Sequence, residues 1–190
     1  MNDNKPESPS NQPSRRAWLY GAAAVLAAGA GAGAAWWKQR PGGSAGGEAL
    51  GATFWDKRFE RPDGGELAMA SLRGKPMLLN FWATWCAPCV EEMPMIDRFF
   101  REQAGNGLQV VGLAIDQPSA VRKFLQRTPV SYAIGMAGLE GTELLRELGN
   151  TGGGLPFTLV VTAQGIVADR KMGKLEQPDL DAWRRAFFHG

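Results

Sequence analysis

The chain of 190 residues has room for one domain of ~100–150 residues plus a tail, and its 44% hydrophobic and 21% charged residues are globular values that exclude a wholly disordered protein. Its 25 glycines follow no triplet period, which excludes collagen, and two cysteines and one histidine exclude a disulfide-dense scaffold or a multi-ligand zinc site within the chain. The net charge of +2 is uneven: residues 1–40 hold five basic and two acidic residues, whereas 41–190 carry a net charge of −1 with the signs interspersed, which is no footprint for nucleic acid. The single histidine, His189, lies in no motif, so a histidine-based triad or acid–base pair is not expected.

Residues 1–16, rich in Asn, Pro and Ser and ending in Arg15-Arg16, are expected to be a disordered cytoplasmic terminus. Residues 17–37 carry no charge, and as a helix at ~1.5 Å per residue they reach across a hydrocarbon layer of ~30 Å. Fourteen of these 21 residues are Ala or Gly, which makes the stretch only weakly apolar. Two readings follow: a retained anchor with Trp18, Tyr20, Trp36 and Trp37 near the interfaces, or an export signal cleaved at one of the Ala-Gly-Ala steps between Ala28 and Ala34. Ser14-Arg15-Arg16-Ala17-Trp18-Leu19 resembles a twin-arginine signal, and under either reading the domain is expected outside the cytoplasm. Residues 38–51, rich in Gly and Pro, are expected to be a flexible linker, with the folded domain spanning 52–190.

Within that domain, segments 53–59 and 66–70 flank Pro62-Asp63-Gly64-Gly65 and predict a β-hairpin. The apolar runs 76–83 and 108–115 predict strands buried on both faces. Between them, Val90, Met93, Ile96 and Phe100 recur at helical spacing, with Glu91, Glu92, Asp97 and Arg101 elsewhere on the wheel and Pro94 as a kink. Strand, helix, strand implies a parallel crossover. A helix over 118–127, a strand over 130–134, a helix over 140–148, an antiparallel pair at 157–162 and 166–171, and a helix opened by Pro178 and faced by Leu180, Trp183 and Phe187 complete the order. The fold class is α/β, a mixed central sheet with helices on both faces.

Both cysteines fall in Trp85-Cys86-Ala87-Pro88-Cys89, after a predicted strand and at the start of a predicted helix, the context in which a C-x-x-C motif suggests redox chemistry. Free backbone N–H groups and the helix dipole stabilise a thiolate at such a position and lower its pKa from ~8.5 toward ~3.5–7.5. Cys86 is therefore the expected nucleophile. Cys89, one turn on, can close a disulfide with it and resolve a mixed disulfide. A static staple or a shared zinc site would use the same two residues. Pro88 in the first helical turn forfeits no hydrogen bond and stiffens the loop.

The run Asn80-Phe81-Trp82-Ala83-Thr84-Trp85-Cys86-Ala87-Pro88-Cys89-Val90-Glu91-Glu92-Met93-Pro94 closely resembles the active-site stretch of the TlpA/ResA-like thiol-disulfide oxidoreductases, membrane-tethered thioredoxin relatives. The resemblance implies a thioredoxin-like fold with Cys86 and Cys89 as the redox pair and no cofactor beyond their disulfide. Gly154-Leu155-Pro156-Phe157-Thr158 looks like the family's cis-proline loop, which would set Pro156 against the Cys86 sulfur. Asn80 stands where cytoplasmic thioredoxins carry a buried Asp, and Glu92 matches the glutamate that serves this group instead, near enough to shuttle a thiol proton. Trp85 is expected to pack over the nucleophile or to be a core aromatic.

The function implied is reduction of disulfides in exported proteins, as in cytochrome c maturation, with electrons from a membrane thiol carrier of the DsbD or CcdA sort. An oxidase that donates its disulfide would use identical residues, and a Cu(I) or haem-assembly module would use Cys86 and Cys89 as ligands. The peroxiredoxin pattern is not met, since Leu79 and Ala83 occupy the places of its Pro and Thr.

Overall fold

In the computed structural model, residues 47–188 are described. The expectations for 1–16 and 17–37, and for most of the linker, lie outside them. Among the described residues no helix is long and apolar enough to cross a membrane. The elements are α1 (Ala52–Trp55), β1 (Arg58–Glu60), β2 (Glu66–Ala68), β3 (Met77–Trp82), α2 (Ala87–Gln103), β4 (Gln109–Ala114), α3 (Pro118–Arg127), β5 (Ala133–Met136), α4 (Gly141–Glu147), β6 (Phe157–Val161), β7 (Val167–Met172) and α5 (Gln177–Phe187). The strands form one mixed sheet in the order β2-β1-β5-β4-β3-β6-β7. β3, β4 and β5 run parallel, and β6 pairs antiparallel with β3.

β3 is buried along its whole length, and its period of two divides the core. Leu78 and Trp82 join Met93, Ile96, Val121, Leu180 and Trp183 on the face covered by α2, α3 and α5. Met77, Leu79 and Phe81 join Phe54, Trp55, Leu144 and Leu145 on the face covered by α1 and α4. Asn80 shares the side of Leu78 and Trp82, so the one polar residue of this strand is directed toward α2.

Three sequence expectations need correction. The strand over 53–59 is shortened by α1, because Phe54 and Trp55 are both buried in one cluster, and consecutive strand residues would face opposite sides. The linker ends earlier than residue 51: Ala49 bridges Ile166, and Val167 donates its N–H to the Glu48 carbonyl, so residues 48–49 already pair with the β6–β7 hairpin. The fifth strand starts at Ala133 rather than 130, since the N–H and hydroxyl of Ser131 both donate to Asp97 Oδ1 at 2.6 Å and hold that segment out of the ladder. Glu92 and Asp97, off the apolar stripe of α2, are both buried, where the Leu175 N–H and the Ser131 N–H donate to them from other parts of the chain.

Candidate functional site

Strand β3 ends at Trp82, and a short turn delivers Cys86 as the residue capping α2, its backbone extended and its carbonyl accepting the Val90 N–H at 3.1 Å. Cys86 and Cys89 are joined as a disulfide, with Cα atoms 5.3 Å apart. Both sit in the core cluster on the α2 side, but Cys86 keeps 6% exposure and Cys89 none, so an incoming group meets Cys86 first. Pro88 lies in the first turn of α2, where its missing N–H leaves no gap, and Pro94 lies within the helix.

The turn that aims the pair is held by a residue the sequence reading missed. Asp116, just beyond β4, accepts the Thr84 N–H at 2.9 Å and the Thr84 hydroxyl through one oxygen, and the Gln117 N–H through the other. Its place past the carboxyl end of a parallel strand was the available signal, because sites in such sheets gather there.

Trp85 is not a core aromatic. It is 69% exposed, a large apolar ring left in water unless something docks on it. It lines a cleft of about 740 Å³ with Ile115, Asp116, Leu139, Glu140 and Leu155. Leu139, 80% exposed, stands on the same cleft. The Leu155–Pro156 bond is cis. Pro156 directly precedes β6, whose Phe157 pairs with Phe81 near the end of β3, so the proline loop and the cysteine turn lie at the same end of the sheet.

Glu91 and Glu92 separate sharply. Glu91 is exposed and pairs with Lys174 at 2.6 Å. Glu92 is 1% exposed; its Oε1 accepts from Asn80 Nδ2 at 2.8 Å and its Oε2 from the Leu175 N–H at 2.6 Å. Burial pushes its pKa up to about 7, opposed by the Leu175 and Asn80 hydrogen bonds and by Lys174. It lies three residues after Cys89, one turn along the same helix. Asn80 Nδ2 also donates to Thr158 Oγ1 at 3.0 Å, a partner that no local pattern announced.

These features belong to a defined class of protein. The chain belongs to the Redoxin family, whose model matches residues 49–183. It is similar to the thiol-disulfide oxidoreductase ResA of Bacillus cereus, 25% identical over 122 residues that cover 64% of this chain and 68% of that protein. Among solved structures it resembles a thiol:disulfide interchange protein of the thioredoxin family from Chlorobium tepidum TLS, with a TM-score of 0.66 and 27% identity over 77% of this chain and all of the other (100%). A thioredoxin-related protein from Neisseria meningitidis serogroup B matches with a TM-score of 0.59 and 30% identity over 68% of this chain and 97% of that one. The fold is thioredoxin-like, and the protein is a thiol-disulfide oxidoreductase of the TlpA/ResA-like kind.

Proposed function

We propose that this oxidoreductase is a reductase of disulfides in exported proteins, working on the periplasmic side of the bacterial inner membrane with residues 17–37 as its anchor or export signal. The observation that carries the reading is the graded access of the pair: Cys86 caps a helix beside an exposed Trp85 and a cleft, with Cys89 fully buried behind it. That is the arrangement of an attacking sulfur and a resolving one.

In the reduced protein, the Cys86 thiolate attacks one sulfur of a client disulfide, and the other client sulfur leaves as a thiolate that takes a proton from water. Cys89 then passes its proton to the Glu92 carboxylate and attacks Cys86 Sγ. The Cys86–Cys89 bond forms, and the second client sulfur departs as thiolate. Two electrons have moved from protein to client, leaving the disulfide form the structure displays. A dithiol carrier in the membrane, of the DsbD or CcdA type, restores the thiols by the same exchange in reverse. Trp85, Leu139 and Leu155 supply an apolar surface for the client segment around its cysteine. The cis-proline loop at Pro156 lies at the same end of the sheet, where its backbone meets an extended client segment.

Trapping with Cys89→Ala tests this reading. Mixed disulfides on Cys86 are expected with envelope proteins, and a reduction potential well below that of a strong oxidase is expected for the wild type. A potential near about −120 mV contradicts the reductase direction, and the lack of any covalent adduct contradicts exchange as the activity.

A further inference from the structure

We propose that Asn80 and Thr158 form a hydrogen-bond adaptor that matches Glu92 in both of its protonation states, which makes them positioning residues for the proton released by Cys89. The inference rests on the reading of Glu92 as the acceptor of that proton.

Asn80 and Thr158 face one another across the β3–β6 ladder, both with 0% exposure, and Glu92 comes down on them from α2. Asn80 Nδ2 spends its two hydrogens on Glu92 Oε1 and Thr158 Oγ1, while Asn80 Oδ1 is buried with no partner among the described residues. An ionised carboxylate only accepts, whereas a neutral carboxyl also carries an O–H donor. The Leu175 N–H fixes Oε2 as an acceptor in both states, because a backbone donor cannot turn away. The proton therefore belongs on Oε1, the oxygen that faces Asn80. With it there, Nδ2 and the carboxyl O–H would meet donor to donor.

A half-turn of the Asn80 amide removes that conflict, and terminal amide torsions are broad and two-fold. The amide oxygen then accepts from the Glu92 O–H and from the Thr158 hydroxyl, which reverses from acceptor to donor. Each state of Glu92 keeps a partner on both sides, in a place where water does not substitute. Leucine here would serve neither state. An aspartate would add a second titrating group, coupled to the first.

The charged and titratable groups around Glu92 are fixed elsewhere. Lys174, in the loop before α5, is held by Glu91 of α2; Asp179 of α5 is held by Lys171 of β7; and Tyr132, at the edge of β5, is kept neutral by burial. Among the described residues none of them hydrogen-bonds either Glu92 oxygen. Glu92, with a pKa raised to about 7 by burial, visits both states near neutral pH.

The test is stopped-flow mixing of the reduced protein with dithiobis(nitrobenzoate), across pH. Attack by Cys86 releases one thionitrobenzoate, and resolution by Cys89 releases the second. In the wild type the second phase should show an inflection that Glu92→Gln abolishes. Thr158→Val and Asn80→Leu withdraw the matched partner from both states, and the loss weighs more on the ionised one because a buried charge without a donor costs more than a neutral carboxyl without one, so the inflection moves up by about one pH unit and the acid limb slows about tenfold, with the first phase unchanged. Thr158→Ser, which retains the hydroxyl, keeps the wild-type profile. Thr158→Val is close in volume to the native residue and carries the test even where Asn80→Leu fails to fold. If Glu92→Gln flattens the profile while Thr158→Val and Asn80→Leu leave it in place, the adaptor is refuted and the reading of Glu92 stands. If Glu92→Gln itself leaves the profile unchanged, both are refuted.

Discussion

Asp116 holds Thr84 twice, by its backbone N–H and by its hydroxyl, two residues before the nucleophilic cysteine. A single carboxylate at the end of β4 thereby sets the path of the turn between β3 and α2. Asp116→Ala leaves the Thr84 N–H without its partner in a part-buried site, a loss of roughly 1–3 kcal/mol. Chemical denaturation should register it, and the rate of mixed-disulfide formation should fall as the Cys86 turn loosens. An unchanged exchange rate would mean that the turn is set by β3 and α2 alone.

Trp85 and the core differ in what a truncation removes. With 69% of its surface exposed, Trp85→Ala should change stability by no more than about 0.5 kcal/mol. Its effect should instead appear as a raised KM for protein disulfides, with little change toward a small aromatic disulfide that needs no docking surface. Steady-state reduction of the two substrates side by side separates these outcomes.

Gly112 lies between Asn80 and Ile134 in the ladder, and a Cβ there would stand 2.7 Å from Ile134 Cδ1 and 3.1 Å from both Trp82 Nε1 and Tyr132 Cε2. Gly112→Ala must shift Ile134 Cδ1 and press on the buried rings of Trp82 and Tyr132, so a destabilisation of roughly 1–3 kcal/mol is expected from the denaturation midpoint. Gly74 and Gly107 have positive φ but open space around them, so any cost of alanine at either is one of backbone conformation instead.

Glu92 gives the folded state a particular pH dependence. Its pKa is raised from 4.5 to about 7, so between those values the native protein binds more protons than the unfolded chain. Stability from this group is therefore full below about pH 4.5 and declines as pH rises toward 7, by on the order of 3 kcal/mol at most. Denaturation of the oxidised protein at several pH values should show this decline. In Glu92→Gln it should be absent, and that variant should be the more stable of the two at pH 8.

The parts of the fold that were legible in the sequence are those whose information is local. The continuous apolar runs marked β3 and β4, and Pro118 with the spacing of Val121 and Phe124 marked α3 over the residues it occupies. The helical turn α1 was hidden because Phe54 and Trp55 are adjacent, a pattern that fits neither period over so short a stretch. In the site, the cysteine pair announced itself through its place between strand and helix, whereas Glu92 was singled out by family resemblance and no local pattern marked its burial. Its partners were out of reach: Asp116 lies 32 residues from Thr84, Thr158 lies 78 from Asn80, and Leu175 lies 83 from Glu92. Such contacts depend on the register of β6 against β3 and on where the loop before α5 closes, and neither is written in a local pattern.

Exchange by this pair depends above all on Cys86 being its acidic, accessible sulfur. Titration of the reduced Cys89→Ser protein, following thiolate absorbance and the rate of iodoacetamide alkylation together, measures this directly. A pKa within the range of ~3.5–7.5 typical of helix-start thiols, with alkylation at least about tenfold faster than for Cys89 in a Cys86→Ser protein, is the expected result. A Cys86 that titrates near ~8.5 like a free thiol, or that alkylates no faster than Cys89, contradicts the account.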